Sequence, residues 1–117
     1  MTSINFIKLK NTKIFLCKVS EEIHTKYLKN YIFTQIQSHN VTLDNTSKIF
    51  YTYVAALKSY QITLFNSKDK NIILEPFILE SLYEKSNHKI NDLYICSDFF
   101  ALYSNSKLVY YSKINSR

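Results

Sequence analysis

The chain has 117 residues, a net charge of +6 and no glycine. Loops that wrap the phosphates of a nucleotide depend on glycine, because it turns at positive φ and lets the backbone approach the ligand. The composition therefore excludes a Walker A loop and a dinucleotide-binding fingerprint, and no cofactor is predicted. The length predicts one domain over residues 1–117.

The N-terminal third predicts two strands and a helix. Apolar residues fill 4–9 and 13–19, and the short polar step between them predicts that the two runs pair as a hairpin. Ser20 then offers a hydroxyl that can cap a helix. Apolar residues recur every three or four positions through 21–38, which predicts a helix with one face towards the core.

The middle of the chain predicts a central strand. Residues 48–57 carry β-branched and aromatic side chains on both faces, which is typical of a strand covered on both sides. The run 61–65 that follows has two interpretations, a strand paired with the first or the start of a short helix.

The C-terminal half predicts a helix between short strands. Residues 71–74 form a short apolar run, and Pro76 suits the first position of a helix over 76–86, where its missing N–H is not needed. Residues 104–107 predict a hairpin turn, since Asn105 tolerates the left-handed region. Three further strands are predicted over residues 93–96, 99–103 and 108–114.

This order, ββ-α-ββ(β)-α-βββ, predicts an α/β (mixed α+β) fold. We expect a single mixed sheet of about six or seven strands with two main helices on it. The sequence has no apolar run of about 20 residues and no signal-peptide pattern at its start. A cytoplasmic protein, or a piece cut from a longer chain, is therefore predicted.

The side chains that can hold metals are scattered. Neither Cys17 nor Cys96 has a Cys-x-x-Cys partner, so no metal site is predicted. We expect both cysteines to be buried as free thiols, since each lies in an apolar run. A disulfide between them is the alternative. No two of the three histidines have the i, i+4 spacing of a helical metal site. The three are His24, His39 and His88.

No catalytic residue is predicted. Cys96, Ser97 and Asp98 lie between two strands, but without glycine they lack the sharp turn that supports a nucleophile and an oxyanion hole. We therefore expect Cys96 to pack inward and the next two residues to form a turn. Glu80 and Glu84 are four positions apart on the second helix and predict ordinary helix-surface residues.

Two aromatic segments form the candidate partner-binding site. Tyr51 and Tyr53 lie in the predicted central strand, and Tyr110 and Tyr111 lie in the last strand. Tyrosine joins an apolar ring to a hydroxyl group and is enriched at protein interfaces. A partner would bind there by strand addition or by docking of a tail. Packing of these rings in the core is the alternative.

The positive charge comes almost entirely from lysine. Arg117 is the single arginine among the fifteen basic residues. Scattered lysines predict a solvated basic surface, and binding of nucleic acid or acidic lipid is the alternative. Proteins that read nucleic acids favour arginine, whose planar fork matches phosphate and guanine.

Residues 49–114 resemble a known family in the order of their segments. The order runs from Tyr-Val-Ala-Ala at 53–56, through Ile-Leu-Glu-Pro at 73–76, to 93–95 and a hairpin of 100–103 with 108–114. It is similar to the actin-like assembly proteins of type IV pili and type II secretion systems, of the PilM and GspL types. The resemblance implies a fragment of an actin-like fold, and a scaffold that docks onto the cytoplasmic tail of an inner-membrane assembly protein.

The chain departs from this family at the nucleotide site. Members that bind ATP carry an Asp-x-Gly turn before the hairpin, whereas residues 93–98 contain no glycine. The resemblance therefore implies a degenerate relative that has lost nucleotide binding. We expect a non-enzymatic scaffold domain of a pilus, secretion or DNA-uptake platform, peripheral to the inner membrane. The alternative is a small lysine-rich protein that binds nucleic acid or modulates a host.

Overall fold

A computed structural model describes residues 5–114, which form eight strands and two helices and confirm the mixed α+β class. The first predicted strand begins at Ile4, which lies outside the described residues, as does Arg117. The chain divides into two compact units. We call Lys13–Lys68 the central unit, and Met1–Thr12 with Asp69–Arg117 the terminal unit. The described strands form three sheets, so the prediction of a single sheet is wrong.

The central unit is a three-stranded antiparallel sheet with a helix on one face. Strand β2 (Lys13–Lys18) and strand β3 (Ser47–Val54) both pair with β4 (Ser59–Asn66). The prediction that residues 48–57 form the central strand is therefore wrong, because β4 lies in the middle and β3 lies at an edge. Buried polar side chains at Gln61 and Thr63 weaken the hydropathy signal of β4.

The core of this unit lies between β4 and helix α1 (Thr25–Ser38). Because alternate residues of a strand share a face, Tyr60, Ile62 and Leu64 all point towards the helix. Burying one large apolar side chain contributes roughly 1.5–3 kcal/mol to folding. The buried members of this cluster are Cys17, Ile32, Ile36, Tyr60, Ile62 and Leu64.

Helix α1 begins at Thr25, later than the sequence predicts. The Tyr60 hydroxyl accepts a hydrogen bond from the N–H of Ile23 at 2.8 Å, which fixes the chain just before the helix. The ring of His24 then caps the helix, its Nδ1 accepting from the N–H of Lys26 at 3.1 Å. Ser20 is therefore not the cap of α1. The distant residue Tyr60 holds the backbone at Ile23, which lies between Ser20 and the start of the helix.

The terminal unit begins with two short parallel strands. Strand β1 (Asn5–Ile7) pairs with β5 (Ile72–Leu74), so the hairpin predicted for 4–9 and 13–19 is wrong. The chain leaves β1 through a 3-10 turn whose first residue, Leu9, is fully buried. The N–H of Leu9 donates to the Glu75 carboxylate at 2.7 Å, which ties this turn to the start of the second helix.

Helix α2 (Glu75–Glu84) begins one residue before the predicted start at Pro76 and covers one face of an antiparallel sheet. That sheet consists of β6 (Asp92–Ile95), β7 (Phe99–Ser104) and β8 (Lys107–Lys113). The Tyr103 hydroxyl donates to the carbonyl of Pro76. The rings of Tyr83 and Tyr103 meet edge to face with centroids 5.1 Å apart. Aromatic rings from both elements therefore form this core.

The turn between β7 and β8 adopts the left-handed conformation without glycine, as predicted for Asn105. Asn105 has φ of 51° and Ser106 has φ of 66°. Two positive φ angles in a two-residue loop match the twist of an antiparallel hairpin. The N–H groups of Asn105 and Ser106 donate to the side chain of Asn91 and the carbonyl of Ile90, which helps to offset the cost of this conformation.

Stability should fall at alkaline pH because of Tyr103. Burial raises the pKa of Tyr103 above its ordinary value of 10.0. Between the two values the unfolded chain releases the proton and the native chain retains it. The contribution of Tyr103 to the free energy of unfolding is therefore fully present below about pH 10. Above that pH it falls by at most about 1.4 kcal/mol per pH unit. Urea unfolding from pH 8 to 11 should show a shallower decline for Tyr103→Phe, and equal slopes would contradict this origin.

Candidate functional site

The four candidate tyrosines have different environments. Tyr51 is 43% exposed on β3, and Tyr53 on the same strand is half-buried against the ring of Tyr60, with centroids 5.1 Å apart. Tyr110 on β8 is half-buried, and Tyr111 is buried beneath α2 against the ring of Phe77 at 6.2 Å. The first pair lies in the central unit and the second in the terminal unit. Of the four, Tyr51 presents the most accessible surface and Tyr111 the least.

Strand β3 presents backbone groups along its outer edge. The N–H of Ser67 donates to the carbonyl of Thr46. With the register of β3 and β4, this bond shows which alternate residues of β3 hydrogen-bond to β4. In an antiparallel ladder only alternate residues bond to a given neighbour. Phe50 and Thr52 therefore bond towards β4. The residues whose N–H and C=O groups point away from β4 are Ser47, Ile49, Tyr51 and Tyr53.

The terminal sheet has an apolar face on the side opposite α2. The register places Leu93 opposite Leu102 and Ile95 opposite Phe100, and directly opposed residues share a face. Leu102 lies opposite Tyr110 in turn. The rings of Phe100 and Tyr110 are 5.9 Å apart. We call these five side chains, Leu93, Ile95, Phe100, Leu102 and Tyr110, the open face.

The open face is accessible along two of its strands. Leu93 and Ile95 are 53% and 64% exposed, and Leu102 is 41% exposed. Helix α2 covers the other side of the sheet, where Phe99, Ala101 and Tyr103 are buried. Large contiguous apolar patches on a protein surface mark binding sites more often than single exposed residues do. Sequence analysis identified only Tyr110 of this face, because alternation in the short runs did not show which side the helix covers.

A polar depression of about 390 Å³ lies beside the hairpin turn. Lys107 pairs with Glu84 at 2.5 Å across it, and this carboxylate raises the pKa of the lysine. Ion pairs at an exposed position contribute little to stability. The residues that line the depression are Glu84, Ser86, Asn87, His88, Lys89, Asn105, Ser106 and Lys107.

The side chains considered for metals and catalysis serve local structure. His39 stacks on Phe15 with centroids 4.0 Å apart, and His24 caps α1. Among residues 5–114 no three metal-binding side chains of His, Cys, Asp or Glu form a group. Cys17 and Cys96 are free thiols, and burial raises the pKa of Cys17. Cys96 is only partly buried, and its thiol donates to the carbonyl of Phe99.

Glu80 and Glu84 are not simply solvated helix-surface residues as predicted, because both contact the start of β8. The carboxylate of Glu80 accepts the N–H of Leu108 at 2.7 Å, beside the irregularity between β7 and β8. With the pair of Glu84 and Lys107, it connects α2 to the start of β8. Sequence analysis could not identify these contacts, since the paired residues are 23 and 28 positions apart.

No protein-family model, curated protein or solved structure matches this chain. In the described part of the chain neither helix has the length and apolar character needed to cross a membrane.

Proposed function

We propose that this chain is a non-enzymatic protein-interaction domain that holds a partner within a pilus, secretion or DNA-uptake platform, at the cytoplasmic side of the inner membrane. The observation that carries the proposal is the open face, where five apolar side chains of three strands lie side by side. Burying apolar surface of this kind drives most protein association. The order of segments in residues 49–114, similar to the PilM and GspL types, supports the setting.

The partner segment should be apolar at its centre and acidic at its ends. Its apolar side chains would lie on Leu93, Ile95 and Leu102, where exposure is greatest. Its acidic residues would meet the basic residues of the terminal unit, which number eight against six acidic residues, and opposite charges speed encounter and suppress wrong partners. Tyr110 adds an aromatic ring with a hydroxyl group to the open face. The proposal therefore requires a cytoplasmic tail of an assembly protein with an apolar centre and acidic ends.

Substituting Leu102 tests the open face directly. Leu102→Glu places a charge among apolar side chains and should weaken binding of the tail by at least about tenfold, as expected for a central interface residue. Ser104→Glu is the matched control, since Ser104 lies two positions along the same strand, on the same face, and is exposed. The control carries the same charge and should bind within about threefold of the wild type.

The measurement uses synthetic peptides that span the cytoplasmic tails of assembly proteins encoded beside this gene. Fluorescence anisotropy of each labelled peptide gives the dissociation constant for the wild type and both variants. Equal losses for Leu102→Glu and Ser104→Glu would assign the effect to charge and contradict docking on the open face. A gene neighbourhood without any pilus, secretion or DNA-uptake gene would contradict the proposed setting.

A lysine-rich protein that binds nucleic acid or modulates a host is the alternative function. The central unit favours it, with seven lysines against three acidic residues within Lys13–Lys68. Binding of this kind depends steeply on salt because it releases counterions from the polyanion. A mobility-shift assay with DNA and RNA at 50 and 200 mM salt decides it. No shift at the lower salt concentration would exclude the alternative.

A further inference from the structure

The outer edge of β3 lacks the features that usually prevent strands from pairing. Its last six residues, 49–54, contain no charged residue and no proline, and consist of β-branched, aromatic and threonine residues. Folded proteins commonly protect such edges with lysine, proline or a bulge. The other edge of the same sheet follows this practice, because β2 has Lys13 at one end and Lys18 at the other. The two edges of this sheet therefore differ in their capacity to pair.

The backbone of β3 is also in the correct register for pairing. Ile49, Tyr51 and Tyr53 direct their N–H and C=O groups away from β4, and within the described residues no second strand pairs on that side. Tyr51, in the middle of these three residues, is 43% exposed. An additional strand could satisfy these backbone groups without changing the existing ladder.

We propose that a second copy of this chain pairs with this edge, β3 against β3 in antiparallel orientation, so that two three-stranded sheets become one sheet of six strands. A two-fold axis at Tyr51 would place Tyr51 opposite Tyr51 of the second copy and Ile49 opposite Tyr53 of the second copy. Aromatic and β-branched pairs of this kind stabilise antiparallel sheets. Two-fold closure uses both free edges at once and ends growth at a dimer.

The charge of the strand fits a second copy at this register. Lys48 is the one charged residue of β3. In the dimer the two Lys48 positions would be six residues apart along the ladder, about 20 Å at the rise of a strand. This separation exceeds the Debye length of about 8 Å at physiological salt, so their repulsion is screened. The dimer goes beyond the proposed function, whose partner docks on the open face, and neither depends on the other.

The first test compares proline at two adjacent positions. Tyr51→Pro removes an N–H that points outward, which an edge strand tolerates. Thr52→Pro removes an N–H that bonds to β4, and should destabilise the sheet. Sedimentation velocity from 5 µM to 1 mM should show a dimer for the wild type and a monomer for Tyr51→Pro, with Tm close to that of the wild type. A wild type that stays monomeric at 1 mM, or forms open polymers, would overturn the proposal.

A charge exchange keeps the test decisive if Tyr51→Pro fails to fold. Tyr51→Lys and Tyr51→Asp each place like charges opposite one another at the two-fold axis and should be monomeric alone. An equimolar mixture should form the heterodimer, since the opposed charges then attract. Failure of the mixture to dimerise would refute this register. Ile95→Lys is the control on the open face, and a monomer there would assign self-association to that surface instead.

Discussion

Replacing Ile62 by alanine is expected to lower the free energy of unfolding by about 2–5 kcal/mol. Ile62 is fully buried in the middle of β4, among the residues that α1 covers. The substitution removes apolar contacts and leaves a cavity that the surrounding strands and helix cannot fully close. Because domains of this size are stable by only about 5–15 kcal/mol, the loss should be visible as a large fall in the urea midpoint, followed by circular dichroism.

The matched control for this prediction is Leu16→Ala on the edge strand β2. Leu16 is 41% exposed, so its truncation removes less buried surface and leaves no closed cavity. A loss of under about 1 kcal/mol is expected for it. Similar losses for both variants would contradict the assignment of β4 as the central strand of this unit.

Replacing Tyr103 by alanine is expected to cost about 3–5 kcal/mol of stability in the terminal unit. Tyr103 is 1% exposed, its ring meets that of Tyr83, and its hydroxyl donates to the carbonyl of Pro76 at the start of α2. Tyr103→Phe keeps the ring and loses only the hydrogen bond, so it should cost about 0.5–1.5 kcal/mol. The two variants separate the contributions of packing and polar contact in urea unfolding.

Tyr110→Ala provides the comparison on the other face of the same sheet. Its ring is half-buried and contacts Phe100 on the open face, away from α2. We expect a clearly smaller loss of stability than for Tyr103→Ala, together with weaker binding of the partner tail. If Tyr110→Ala destabilised the chain as much as Tyr103→Ala, Tyr110 would belong to the core and not to a binding surface.

The adjacent tyrosines of β8 show what a sequence pattern can and cannot distinguish. Tyr110 and Tyr111 are adjacent in β8, and the alternation of side chains along a strand directs them to opposite faces. It does not say which face a helix will cover. The structure shows α2 over Tyr111, which is buried, and leaves Tyr110 on the open face. The two neighbouring tyrosines therefore differ in exposure because of the position of α2.

Local signals determined most of the elements. The apolar period of α1, the proline at the start of α2 and the asparagine turn before β8 each depend on neighbours within a few positions. For this reason the sequence places both helices and the last three strands to within a few residues of their observed bounds. The absence of glycine is equally local, and it excludes phosphate-cradling loops whatever the fold.

Pairing between distant strands was decided by tertiary structure alone. Apolar runs at 4–9 and 13–19 look like a hairpin, yet β1 pairs with β5, which follows more than 60 residues later. The polar residues Gln61 and Thr63 hid the central position of β4, and Tyr60 moved the start of α1 by holding Ile23. Contacts between remote residues decide the strand order, the buried polar positions and the face that each helix covers. The spacing of apolar residues along the chain does not encode these contacts.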